Sequence, residues 1–218
     1  MGFVIKQLMR ESLILSCALA LGCAGLPCVA AHHPNNIYRA SAKLPQNIRR
    51  VAVLPVTMAE DDLTTEMGRD DLERVLYGEL RKANAFEVVR VSREQLRDLT
   101  GKTEWTTEEN LPQGFFARLR ETTGCDAVMF CEMSHYRPYA PLSIGWDIRL
   151  VNADRSQVVW AVDEVFEAGE PATAAAARGY WAAHLQTPEP LDSWSMQASP
   201  VRFAQYTADA VFATLPSR

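Results

Sequence analysis

"SIGWDIRLVNADRSQVVWAVDEVFEA" runs from Ser143 to Ala168. In its first part Ile144, Trp146, Ile148 and Leu150 alternate with Ser143, Gly145, Asp147 and Arg149. A period of two puts the apolar set on one face of an extended strand. "NADRSQ" (Asn152–Gln157) reads as a turn and "VVWAVDEVFEA" (Val158–Ala168) as the returning strand. The pair predicts an antiparallel hairpin, even without the Asn-Gly dipeptide that favours the tightest turns. One greasy face on such a pair has to be covered by a second layer.

Working outward, "RRVAVLPV" (Arg49–Val56) and "FEVVRV" (Phe86–Val91) read as short buried strands. Between them Leu63, Met67, Leu72, Val75, Leu76, Leu80 and Ala83 recur at helical steps, with Arg69, Asp70, Glu73, Arg74 and Arg81 assigned to a solvated face. Ser92 and Gln95 form a capping box that opens a short helix to Leu99. "TGKTEWTTEENL" (Thr100–Leu111) reads as a polar connection. Phe115, Phe116 and Leu119 mark another helix, with Gly124 at the left-handed position that ends it. "CDAVMFCEMSHY" (Cys125–Tyr136) is a third strand before the hairpin. After it come an Ala-rich helix from Pro171 to about Leu185, a loop "QTPEPLDSWSMQ", and a last helix capped by Ser199-Pro200 running to about Leu215. The order β-α-β-α-α-β-β-β-α-α predicts an α/β fold. It is one compact domain over 48–218, a mixed sheet of about five strands packed by helices, with a C-terminal helical extension.

The N-terminus decides location. Lys6 and Arg10 precede the uncharged apolar run Leu13–Leu21, the pattern of a signal peptide over 1–22. "LALGC" (Leu19–Cys23) resembles a bacterial lipobox, which makes Cys23 the lipidated residue, with Ala24 pointing to outer-membrane sorting. Two other fates stay open. One is ordinary cleavage after Ala31, giving a soluble periplasmic or secreted chain. The other is an uncleaved anchor, against which Gly22, Gly25 and Pro27 count, since Pro inside a helix costs about 3 kcal/mol. Residues 23–47 lack periodicity and read as a lipid-anchored flexible tether, up to about 80 Å long when fully extended.

With a net charge of −5 and no basic block, a nucleic-acid partner has no support. Three of the five cysteines (Cys17, Cys23, Cys28) crowd the N-terminus, which is not a disulfide framework. Cys131 and His135 would lie about 13 Å apart on a strand, too far to share a zinc ion. Cys125 and Cys131, about 20 Å apart, cannot form a disulfide and read as buried small hydrophobes. His32 and His33 read as incidental tether residues. Asp147, Asp163 and Glu164 carry carboxylates on the hairpin strands that acid–base work would need, but solvent-facing positions explain them equally well. There is no Gly-rich phosphate loop, "GxSxG" or "HExxH", so no catalytic residue, metal or cofactor is assigned. "HYRPYAPL" (His135–Leu142) packs two tyrosines, an arginine and two prolines into a short connection. Tyr136, Arg137 and Tyr139 are therefore the candidate partner-binding residues, the alternative being that Tyr136 and Tyr139 fold back over the sheet edge. Trp181 and Trp194 form a second candidate patch, although core packing explains them better.

"RRVAVLPV", "TTGCDAVMFCEM" and "DIRLVNADRSQVVWAVDEVFEA" resemble the CsgG/LpoB-like group of bacterial envelope lipoproteins, over roughly residues 48–168. The group includes the curli secretion channel subunit and a peptidoglycan synthase activator. The resemblance implies an anticodon-binding-like α/β domain. "RPYAPL" leaves no room for the barrel insert of the pore-forming relative, because spanning strands need about 9–11 residues each. The tether is also short beside that of the synthase activator. The expectation is an outer-membrane lipoprotein facing the periplasm that binds another envelope protein, or its own copies, without catalysis. Regulation of a peptidoglycan synthase and a secreted hydrolase or metal-dependent enzyme are the alternatives.

Overall fold

Twelve elements make up the described chain: β1 (Ile37–Arg39), β2 (Arg50–Val53), β3 (Thr57–Met58), α1 (Leu63–Ala83), β4 (Glu87–Arg90), α2 (Arg93–Thr100), α3 (Phe115–Thr123), β5 (Ala127–Arg137), β6 (Ser143–Asn152), β7 (Gln157–Glu167), α4 (Pro171–His184) and α5 (Pro200–Phe212). The computed structural model describes residues 31–59, 63–184 and 199–218. The signal-peptide and Cys23 assignments, and the loop with Trp194, lie outside the described residues.

The predicted hairpin forms as β6 and β7, antiparallel from Ser143 opposite Glu167 to Asn152 opposite Gln157. They sit in a mixed sheet of order β1-β7-β6-β5-β2-β4. The β1, β7, β6 and β5 pairings are antiparallel, and β2 runs parallel to both β5 and β4. Seven strands form where about five were expected. The strand read over "RRVAVLPV" ends at Val53, because Pro55 has no N–H to offer the ladder. The same course then resumes as β3 beside Glu132 and Met133 of β5.

The tether assignment fails for the part that is described. Ile37–Arg39 pair with Val162, Ala161 and Trp160 as β1, Leu44 is buried, and Leu44 donates its N–H to the Ser217 carbonyl. A three-residue strand is too short to show an alternation. It forms because β7 otherwise presents unpaired backbone groups at the sheet edge.

The main core lies between one face of the sheet and α1, α4 and α5. Trp146 and Trp160 are fully buried there, and Thr207 of α5 and Thr214 just beyond its end accept their indole N–H groups at 3.0 and 3.1 Å. The C-terminal helical part is thus built into the same core. A second cluster (Ala52, Leu54, Leu96, Phe115, Leu119, Phe130) covers the other face of β2 and β5 under α2 and α3. Trp105 joins it from the connection expected to be merely polar, donating to Thr100 Oγ at 2.7 Å. The capping box of α2 is complete: Ser92 Oγ accepts from Gln95 N and Ser92 N donates to Gln95 Oε1.

Not all the charges of α1 are solvated. Glu73 is 2% exposed and accepts from Arg90 at 2.6 Å and Arg93 at 2.9 Å, tying α1 to β4 and to the start of α2. Arg93 also reaches Glu104 and the Val56 carbonyl.

Candidate interaction surface

The connection from β5 to β6 is held at three points. Tyr136, half-buried, lies against Gly68 of α1 so closely that a Cβ there would fall 2.6 Å from its Cε1. Burial, with the Asp71 carboxylate and Tyr139 behind it, pushes the Tyr136 hydroxyl up in pKa. Arg137 Nε donates to the Pro141 carbonyl at 2.8 Å and closes the loop on itself. Leu142 is buried, and its carbonyl accepts from Ala168 N at 2.8 Å. Tyr139 is left 69% exposed at the tip, the most exposed large hydrophobic side chain among the described residues. Of the three candidate residues, Tyr136 and Arg137 fasten the loop and Tyr139 is presented by it.

On the sheet face away from the main core, Glu132 stands opposite Asp147, and Asp147 opposite Asp163. Three carboxylates therefore share one row across β5, β6 and β7, at the separations where cross-strand side chains interact. Arg149 donates to both oxygens of Asp147, from Nε at 3.0 Å and Nη2 at 2.6 Å, which holds the arginine firmly protonated. Glu132 and Asp163 have no such cation. Burial first, then the Asp147 charge, raises both pKa values above the ordinary carboxylate range. The crevice beside this row, lined by Thr57, Trp105, Glu132, Asp147 and Arg149, measures about 10 Å³ and admits about one water molecule.

Glu164, expected on a solvent-facing position beside Asp163, points the other way. It is 9% exposed and faces the N-terminal segment. Its Oε2 accepts from Asn35 N at 2.9 Å and Asn36 N at 3.3 Å, and its Oε1 lies 3.3 Å from His32 Nε2. His32 is a packed residue, not an incidental one, with its ring edge-on to Phe166 at 5.2 Å. Adjacent positions on a strand face opposite sides, so the alternation puts Asp163 and Glu164 on opposite faces.

Cys125 and Cys131 are buried free thiols. Full burial, with Glu73 behind it, pushes the Cys131 thiol far above its ordinary value, so it is an unreactive core residue. Cys131 and His135 are separated by a bulge at Ser134, where the β5–β6 register shifts. Among the described residues no group of three or more His, Cys, Asp or Glu side chains is set to hold a metal ion. Trp181 lies half-buried on α4 with the Arg202 guanidinium 5.9 Å over its ring. The acidic row could have been found from the sequence by setting β5 against the hairpin. The buried roles of Glu73 and Glu164 depend on segments far away in the chain and left no local sign.

No family model matches the chain, and no curated protein matches it. Solved structures overlap with it in part. The PelC dodecamer from Paraburkholderia phytofirmans is 11% identical over 84% of this chain and 98% of its own, with a TM-score of 0.44. Lipoprotein GNA1162 from Neisseria meningitidis is 16% identical over 63% and 99%, with a TM-score of 0.40. The C-terminal domain of LpoB from Escherichia coli is 12% identical over 54% and 82%, with a TM-score of 0.33. Overlaps of this size assign the chain neither a family nor an activity.

Proposed function

We propose that this chain is a non-catalytic envelope lipoprotein, held at the outer membrane through Cys23 and working in the periplasm by binding another envelope protein. The observation that carries the reading is the rigid β5–β6 loop. Tyr136 and Arg137 pin it, and Tyr139 projects into solvent with 69% of its surface exposed. A large amphipathic ring on a preordered loop binds with little further loss of entropy. The lipid confines the module to two dimensions and raises its effective concentration beside membrane partners. Regulation of a peptidoglycan synthase is the more specific form of the same reading, suggested by the resemblance of residues 48–168 to envelope lipoproteins.

The carboxylate row supplies the rival, acid–base reading. Its crevice has no room for a substrate, and Asp147 is committed to Arg149.

The test is a comparison of wild type with Cys23→Ala and Tyr139→Ala in cells grown with a labelled fatty acid. Cys23→Ala is expected to lose the label and leave the membrane fraction. Tyr139→Ala is expected to keep both and lose its crosslinked envelope partner. Retention of Cys23→Ala in the membrane would refute the anchor, and unchanged crosslinks in Tyr139→Ala would refute the loop.

A further inference from the structure

The hydrogen bonds of one buried carboxylate set how long the leash to the membrane is. We infer that Glu164 straps residues 32–36 to the domain and so turns the Tyr139 end of the sheet toward the lipid surface. This inference rests on the proposed lipidation of Cys23.

A carboxylate withdrawn from water needs donors or it strongly destabilises the fold. Both hydrogen bonds to Glu164 come from the strap, from the backbone N–H groups of Asn35 and Asn36, and the His32 imidazole lies beside it with Nε2 3.3 Å from Oε1. His32 is fixed again by its own N–H, which donates to the Ala172 carbonyl at 3.2 Å, and by the ring of Phe166. Domain and strap therefore complete each other, and the strap cannot lift without uncovering the Glu164 charge.

The strap also has a direction. β1 is antiparallel to β7, so the chain traced back from Ile37 runs toward the C-terminal end of β7, where Glu167 faces Ser143. The Tyr139 loop sits at that same end. Ala168 N bonds to Leu142 O there, and a Cβ on Gly169 would lie 3.2 Å from Pro141. The turn at Ala153–Ser156 is at the far end of the hairpin.

With the strap closed, the leash from Cys23 to Ala31 is nine residues long and reaches at most about 30 Å. A tether ending at residue 47 would have allowed about 80 Å. A leash of about 30 Å holds the end of the sheet from which it leaves nearest the bilayer. Tyrosine is a residue type enriched at the headgroup level. Around it stand Arg137 and the exposed Glu167 and Glu170, a mixed set that gives no net pull toward anionic lipid.

The experiment is photolabelling from phosphatidylcholine vesicles that carry a headgroup-region diazirine, with the full chain expressed with its own N-terminus and reconstituted. Peptides 137–142 and 153–156 are compared by mass spectrometry. We expect the loop to be labelled at least about five-fold over the turn, independent of salt. Inserting 15 Gly/Ser residues after Ala31 should bring the ratio toward one, as should Glu164→Ala where that variant folds. Equal labelling in the parent, or preferential labelling of the turn, overturns the inference. So does a ratio unmoved by the insertion. An intact mass without acyl chains overturns the lipidation reading alone. In that case Cys23, with Cys28→Ser, is coupled to a maleimide lipid, and the same ratio decides the orientation.

Discussion

The ring of Tyr136 occupies the space a side chain would need at Gly68, with Cε1, Cζ and the hydroxyl all within 2.8 Å of where a Cβ would be. One helical glycine thereby seats the residue that anchors the β5–β6 loop. Gly68→Ala is expected to push Tyr136 out and lower stability by about 1–3 kcal/mol, despite the gain in helix propensity. Gly78, on the same helix, has nothing within 4 Å of its Cβ position, so Gly78→Ala should stabilise by about 0.5–1 kcal/mol. Urea unfolding of the two variants checks the pair, and similar shifts would contradict it.

Glu73→Gln removes the charge that Arg90 and Arg93 share at 2.6 and 2.9 Å. The expected loss is about 3 kcal/mol, at the low end for a broken buried pair because Arg90 keeps access to water. Denaturant midpoints measure it. A change under about 0.5 kcal/mol would mean the network contributes no stability.

Gly145 faces the bulge on β5, where a Cβ would meet Ser134 Oγ at 2.5 Å and the backbone N of His135 at 3.0 Å. Backbone cannot swing aside as a side chain can. Gly145→Ala should therefore destabilise by more than about 1.5 kcal/mol, while Ser134→Gly on the same background should recover part of it. Additive losses in the double variant would show that the two positions do not touch.

The acidic row makes stability fall as pH rises. Glu132 and Asp163 have folded-state pKa values above their ordinary ones, so the folded chain holds more protons than the unfolded chain in that interval. The cost is absent below the ordinary carboxylate value and complete above the raised one. Glu132→Gln is expected to stabilise at pH 7 by about 0.5 kcal/mol, with no gain below pH of about 4. A gain that persists in acid would exclude charge repulsion as its cause.

Where one element carried its own signal, the chain was legible. The alternation in Ile144, Trp146, Ile148 and Leu150 located β6, the Ser92–Gln95 pair located the start of α2, and Gly124 ended α3 at φ 67°. The loop from His135 to Leu142 stood out by composition alone. What stayed hidden depended on distant partners. Nothing near Glu73 announces Arg90 and Arg93, and nothing near Ile37 announces the open edge of β7.

Periodicity, caps and turn residues are local, and for these the order of residues was sufficient to determine the α/β class and the hairpin. Burial of a charge and the pairing of an edge are properties of segments that meet only after folding. Glu164 is a surface acid or the fastening of the N-terminal strap depending on whether His32, Asn35 and Asn36 are beside it, and only the tertiary structure puts them there.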